Sequence, residues 1–163
     1  GNGGAVAVTA GAALSTNGQG GAVTITPGAG TGTGFGGLLN LVSTSLTVTQ
    51  GAPAAVTDTA TLTAANLKTG IISGTPTAAA TYTLPTGTLF EAEFSSFATD
   101  QAFDFTIQNL ATNATFIITV AAGASFTIVG SARIDANAGT AQAQARFRAR
   151  RTAANTFVAY RIA

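Results

Sequence analysis

Hydrophobic and polar residues alternate with period two along much of this chain, which is typical of β-strands. In the first fifty residues the alternation is repeated: a double glycine followed by a short strand occupies residues 3–9, returns at 20–26, and returns less closely at 36–42. Alternation puts Val6 and Val8 on one face of a strand. So short a unit cannot bury that face alone. The repeats therefore predict a Gly-rich β shaft that closes by assembling with copies of the same chain.

The pattern changes near residue 43. Residues 43–49 alternate cleanly and then meet a turn cluster at residues 50–53. All the charged residues, nine of the ten Phe and both Tyr follow that cluster, and these are the residues that a packed globular core and its surface require. We therefore predict two parts: a shaft over residues 1–50 and a head over residues 51–163.

The head is expected to consist of short strands separated by turns. Intervals of roughly 8–12 residues between strands are typical of a β-sandwich or jelly roll. We expect the strand at 102–108 to form a hairpin with the one at 115–120, and the last two strands to form another, with a loop at 130–140. The predicted strands cover residues 60–63, 69–74, 80–84, 102–108, 115–120, 125–129, 142–150 and 156–162.

One segment carries a helix signal. Thr88 followed three residues later by Glu91 matches a capping box. Phe90, Phe94 and Phe97 lie at helical spacing. The sequence predicts one short helix from residue 89 to about residue 98, covering one end of a sheet. The expected fold is thus all-β with one short helix, assembled as a homotrimer.

Composition excludes several functional classes. Charged residues are 8% of the chain and the formal net charge is +1, so neither nucleic acid nor an anionic membrane surface is an expected partner. The chain has no Cys and no His, which removes disulfides and the usual zinc ligands. The longest apolar stretch, residues 116–124, is far shorter than the ~20 residues of a membrane-spanning helix. We expect no metal and no cofactor.

The same inventory argues against an enzyme. Without His or Cys the common nucleophile–base pairs are missing. A carboxylate pair of the glycosidase type remains conceivable. Its candidates are Glu91 with Glu93, or Asp100 with Asp104. Since Glu91 is already explained as a helix cap, we assign no catalytic residue.

The strand near the carboxyl end has an unusual pattern. One face carries Gln144, Arg146, Arg148 and Arg150. The residues between them are Ala or Phe, and Arg151 follows. Guanidinium groups suit carboxylates, so this face could be an anion or acidic-glycan patch. It could equally be a solvated face, or pair across a subunit interface with Asp100, Asp104 or Glu93. The low net charge favours the structural or interface alternative.

Thr-x-Thr pairs recur in the chain, as in the threonine ladders of ice-binding solenoids. They occur, for example, at residues 24–26, 47–49 and 81–83. An ice-binding plane needs many such pairs at one strict spacing. Because these intervals are irregular, we expect threonine to form the polar side of ordinary strands.

Several segments of the head resemble the terminal domains of bacteriophage and large-DNA-virus fibre proteins. The resemblance is carried by residues 81–85, 100–109, 117–123 and 145–148, and by Tyr160-Arg161. The double-glycine repeats are similar to the Gly-rich shafts of such proteins. The resemblance implies a homotrimer on the virion surface, with a slender stem, a β-rich head and other virion proteins as partners. Receptor-contact residues vary within this class, so none is carried over.

The predicted function is therefore that of a structural and adhesive virion fibre whose head binds a host-surface receptor, with a glycan as the expected ligand. Polar loop residues would hold the sugar, and the candidates are Arg133, Asp135, Asn137 and Asn155. The alternative is a cap that trimerises and terminates a shaft without binding a receptor. An ice-binding or glycan-cleaving protein is less favoured.

Overall fold

The structure, a computed structural model, divides the chain into two units, Gly1–Thr47 and Val48–Ala163. It describes residues 11–12, 50–94, 97–138 and 143–163. The predicted shaft strands at 3–9, 20–26 and 36–42 lie outside these residues. The fold below is that of the second unit.

The second unit is rich in β-strands, as the alternation predicted. Two helices accompany the strands in the described part of the chain: α1 (Ala64–Lys68) and α2 (Gly87–Glu93). The strands are β1 (Ala54–Val56), β2 (Ala60–Thr61), β3 (Ile71–Gly74), β4 (Ala80–Thr83), β5 (Ala102–Asn109), β6 (Ile118–Ala121), β7 (Phe126–Val129), β8 (Arg133–Ile134), β9 (Gln144–Ala153) and β10 (Thr156–Arg161).

The strands form two sheets. The six-stranded sheet has the order β1-β3-β5-β9-β10-β7, and the four-stranded sheet has the order β2-β4-β6-β8. From β1 to β6, successive strands belong alternately to the six-stranded and the four-stranded sheet. The odd-numbered strands are parallel to one another in the first sheet, and the even-numbered strands are parallel in the second. Parallel neighbours need a crossover connection. Here each crossover contains one strand of the other sheet.

Two expectations about hairpins had different outcomes. The hairpin at the carboxyl end is confirmed, since β9 and β10 pair antiparallel. The hairpin between residues 102–108 and 115–120 is wrong, because β5 pairs with β3 and β9 while β6 pairs with β4 and β8 in the other sheet. Turn residues at 109–113 marked a chain reversal but could not tell a hairpin from a crossover. The β-rich class holds, whereas the parallel pairs differ from an antiparallel jelly roll.

One hydrophobic core lies between the sheets. Ile107 and Phe147 come from the six-stranded sheet, Tyr82 and Ile118 from the four-stranded sheet, and all four are fully buried. Strand alternation explains this arrangement, because every second residue of β5 and β9 points inward. The Tyr82 hydroxyl donates to the Val56 carbonyl oxygen at 2.8 Å, and burial, with the nearby Asp58 charge, raises the pKa of Tyr82 to about 12.

The helix prediction needs three corrections. The predicted helix exists, but it covers Gly87–Glu93 and not residues 89–98, so that Phe94 is its C-cap and Phe97 lies beyond its end. It starts after Thr86, whose hydroxyl accepts from the Leu89 backbone N–H, so Thr88 is not the cap. A second helix, α1, was not predicted. Its capping box is Thr63 with Asn66, which is an Asn where the usual pattern has Glu or Gln.

Helix α2 does cover one end of the core, as expected. Phe90 is fully buried and makes edge-to-face contacts with Phe126 and Phe157, with ring centroids 5.5 and 4.9 Å away. Phe94 and Phe97 pack against the core while remaining partly exposed. Neither helix in the described residues is long and apolar enough to cross a membrane.

Candidate functional site

The outward side chains of β5 and β9 form a polar surface that we call the arginine face. The two strands are antiparallel neighbours, with Asp104 opposite Arg148, Thr106 opposite Arg146 and Gln108 opposite Gln144. The intervening residues of β9, beginning with Ala145 and Phe147, are buried. The face consists of Asp104, Thr106, Gln108, Gln144, Arg146, Arg148 and Arg150.

Asp104 binds two arginines of β9 at once. Arg148 donates through Nε and Nη2, at 2.7 and 2.9 Å, and Arg146 donates through Nη2 at 2.8 Å. Hydrogen bonding from Arg148 is the main cause that holds the pKa of Asp104 below its ordinary value, and the Arg146 charge adds to it. The two guanidinium groups are thus fixed side by side through a single carboxylate.

The third arginine of the face has a different partner. Arg150 bonds Asp100, which lies just before β5, and it also contacts the Tyr160 side chain. These bonds raise the pKa of Arg150, with Asp100 the largest cause. All three arginines of the face keep between 41 and 55% of their side chains exposed, so they remain accessible to a ligand.

The carboxylates that were expected to pair across a subunit interface are engaged within the chain. Asp100 and Asp104 bond the β9 arginines, and Glu93 bonds Lys68 at 2.8 Å. The alternation in the sequence correctly predicted that the arginines of β9 share one face. It could not supply the partners, because β5 lies about forty residues earlier and only sheet pairing brings it alongside.

The four residues predicted for glycan binding are not brought together. Arg133 and Asp135 form a salt bridge of 2.7 Å beside a shallow cavity of about 360 Å³, near Arg161. Asn137 is exposed in the segment after β8. Asn155 is in the β9–β10 turn, at the opposite end of β10 from Arg161. Six strand residues separate these ends by about 20 Å, so Asn155 belongs to another surface.

All four carboxylates of the glycosidase hypothesis, Glu91, Glu93, Asp100 and Asp104, form ion pairs within the chain. Arg151 donates to both oxygens of Glu91, at 3.0 and 2.7 Å, and the Asn155 backbone N–H also donates to it. The Arg151 bonds are the main cause that lowers the pKa of Glu91. A general acid at neutral pH needs a raised pKa. The lowered pKa values therefore make Glu91 and Asp104 unsuitable as the general acid.

Sheet pairing also aligns threonines that the sequence had spaced irregularly. On the outer face of the four-stranded sheet, Thr61 stands beside Thr83, and Thr81 stands beside Thr119. The sequence intervals of 22 and 38 residues hid this alignment because the connections between strands differ in length. Two matched pairs fall well short of the many regular rows that an ice-binding plane needs.

A cavity of about 680 Å³ lies where β2 and β4 end and both helices begin. Its lining is mainly apolar and includes Leu62, Leu84 and Leu89, with Leu89 60% exposed. Among the described residues of its lining, Glu93 is the one charged side chain. This cavity could not be predicted from the sequence, because α1 was not predicted.

No cluster of metal-ligating side chains is present within the described residues. Comparison of the chain with known protein families, with curated proteins and with solved structures finds no match.

Proposed function

We propose that this chain is a structural and adhesive protein, the end of a virion fibre, and that its head attaches to a glycan on the host surface through the arginine face. The observation that carries the binding part is the fixed, half-exposed arrangement of Arg146 and Arg148 around Asp104. Side chains held by neighbours lose less conformational entropy when a ligand binds. The face therefore offers preorganised donors on a rigid sheet.

The fibre part of the proposal is supported by the sequence. The double-glycine repeats at residues 3–9, 20–26 and 36–42 each leave an apolar stripe that needs a partner, and glycine and alanine allow close approach of chains. The resemblance to virion fibre domains points to three copies. A homotrimer with a repetitive stem and a β-rich head satisfies both requirements.

The first experiment is the solution mass of the full chain, measured by light scattering behind a sizing column. We expect a mass three times that of the 163-residue chain. The same measurement on residues 51–163 tells whether the head trimerises by itself. A monomer of the full chain would contradict the fibre proposal.

The second experiment tests attachment. The head is applied to a panel of immobilised glycans, neutral and acidic, and we expect a subset to bind. An Arg146→Gln, Arg148→Gln double variant should lose that binding while keeping its mass and circular dichroism spectrum. Binding that survives the double substitution would place the receptor site elsewhere.

A second candidate function is a terminal cap that trimerises without binding a receptor. One observation favours it: the arginines of the face are paired with carboxylates of the same chain, as in an ordinary stabilised surface. A trimer that binds no glycan and no host cell would support the cap and contradict the adhesive proposal.

A further inference from the structure

The charges on the arginine face do not balance. Arg146, Arg148 and Arg150 supply three guanidinium groups, while Asp104 and Asp100 supply the two carboxylates that bond them. One positive charge is left over. The remainder of the face is neutral, with the hydroxyl of Thr106 and the amides of Gln108 and Gln144.

Hydrogen bonding places this surplus at Arg146. Arg148 commits two nitrogens to Asp104, and Arg146 commits one. Asp104 is the sole bonding partner of the Arg146 guanidinium among the described residues, and the Arg146 side chain is 55% exposed. Arg146 is therefore held in position by Asp104 while its other donors face outward.

This arrangement selects a ligand chemistry. A planar guanidinium binds a planar carboxylate through two parallel hydrogen bonds. A single surplus charge suits a ligand that presents one carboxylate per sugar ring, and it does not suit nucleic acid, whose phosphates are bound by several cations together. Hydroxyl and amide groups beside Arg146 can bond the hydroxyls of a sugar ring.

A sugar fits this surface better than an acidic protein does. Protein interfaces depend on large aromatic or aliphatic side chains that anchor in pockets. The outward residues of β5 and β9 include no large apolar side chain: apart from Ala102, they are the polar and charged residues of the arginine face. The bordering strand β10 adds an apolar edge: Tyr160 pairs with Arg148, and Ile162 just after the strand, 44% exposed, donates its backbone N–H to the Arg146 carbonyl oxygen. A polar face with one apolar edge is suited to a sugar ring, which presents both hydroxyls and C–H groups.

We infer that the ligand of the arginine face is a carboxylated polysaccharide, a polyuronate, with one uronate carboxylate bound by Arg146 and the neighbouring sugar hydroxyls bound by Thr106 and Gln144. The inference rests on the proposed adhesive function and names its ligand class. Asp104, itself bonded by Arg148, positions Arg146. The Arg148–Asp104 hydrogen bonds stay intact when the ligand binds.

The test measures binding of the full chain to polygalacturonate by titration calorimetry at low salt. Methyl-esterified polygalacturonate is the matched control, because it keeps the sugar backbone and removes the charge. We expect binding to the free acid, weakening with added salt, and none to the ester. Equal binding to both polymers would overturn the inference.

Substitutions locate the site. Arg146→Gln should weaken binding about tenfold or more, the usual worth of a hydrogen bond to a charged group. Lys68→Gln is the control variant, since Lys68 is 52% exposed and paired with one carboxylate, Glu93, but lies outside the face. An equal loss in both variants would show a non-specific charge effect and overturn the inference.

Three further probes separate the alternatives. Heparin presents dense sulfates, and polyglutamate presents carboxylates on a peptide. Tighter binding to either than to polygalacturonate would overturn the polyuronate inference in favour of that class. Binding to a neutral glycan such as dextran, unaffected by Arg146→Gln, would overturn the inference while leaving the adhesive function intact. Binding to no glycan at all would contradict both.

Discussion

Arg151 joins the end of β9 to helix α2 by donating two hydrogen bonds to Glu91. The pair is the least exposed of the salt bridges in the described residues, with 15% of the Arg151 side chain and 24% of the Glu91 side chain accessible. The Asn155 backbone N–H donates to the same carboxylate at 2.5 Å. Glu91 thus fastens the helix to the β9–β10 hairpin.

Replacing Glu91 by Gln should lower the thermal midpoint of the head at neutral pH. Gln keeps the shape but removes the charge that bonds Arg151. The pKa of Glu91 is lowered in the folded protein, so its contribution is present above the ordinary carboxyl pKa and is lost as the pH falls through the lowered value. We therefore expect the difference between wild type and variant to disappear in acid, as measured by melting curves between pH 7 and pH 2.

Glu93→Gln is the matched control for that substitution. Glu93 is on the same helix but makes one bond, to the half-exposed Lys68. We expect a much smaller change in midpoint than for Glu91→Gln. Equal effects of the two substitutions would contradict the assigned role of Glu91.

The two arginines that share Asp104 should affect its titration unequally. Arg148 donates two hydrogen bonds and Arg146 one, and Arg148 is the main cause of the lowered pKa of Asp104. We expect Arg148→Gln to raise the pKa of Asp104 more than Arg146→Gln does. Carbon-detected NMR of the carboxyl group during a pH titration measures both shifts. A larger pKa shift in Arg146→Gln than in Arg148→Gln would contradict the two-bond and one-bond arrangement around Asp104.

Asn109 should be one of the polar residues most important for stability. It is fully buried, and its amide donates to the carbonyl oxygens of Phe116 and Ile134, at 2.8 and 3.2 Å. These bonds tie the end of β5 to the segments around β6 and β8. Asn109→Ala removes both hydrogen bonds from this position, at a cost of about 1–3 kcal/mol.

Chemical denaturation measures the Asn109 effect, and Asn137→Ala is the control. Asn137 is exposed, so its substitution should change the free energy of unfolding by less than about 0.5 kcal/mol. A loss below about 1 kcal/mol for Asn109→Ala would contradict the role assigned to its hydrogen bonds.

Gly123 is required by close approach of the backbone. A Cβ at this position would lie 2.2 Å from the Leu84 carbonyl oxygen and 2.3 Å from that of Pro85. Gly123→Ala must therefore push apart the segments that follow β4 and β6, at a typical cost of about 1–3 kcal/mol. Gly51→Ala is the matched control, because nothing lies within 4 Å of its Cβ. Equal stability of the two variants would contradict this packing.

The sequence by itself determined the local features of the head. Period-two alternation located β3, β4, β5, β9 and β10, because a strand with one face on the core buries every second residue. The same alternation placed Arg146, Arg148 and Arg150 on one exposed face opposite buried Ala145 and Phe147. Helical spacing of phenylalanines located α2, although the capping residue was two positions earlier than predicted.

Tertiary structure decided which segments meet. Asp104 and Arg148 are 44 residues apart in sequence, and only antiparallel pairing of β5 with β9 makes them partners. Parallel pairing likewise aligned Thr61 with Thr83, and the separation of the sheets kept β5 from pairing with β6. Alternation fixes which face a side chain occupies, but it carries no information about the neighbouring strand, because that choice depends on how both sheets bury one shared core.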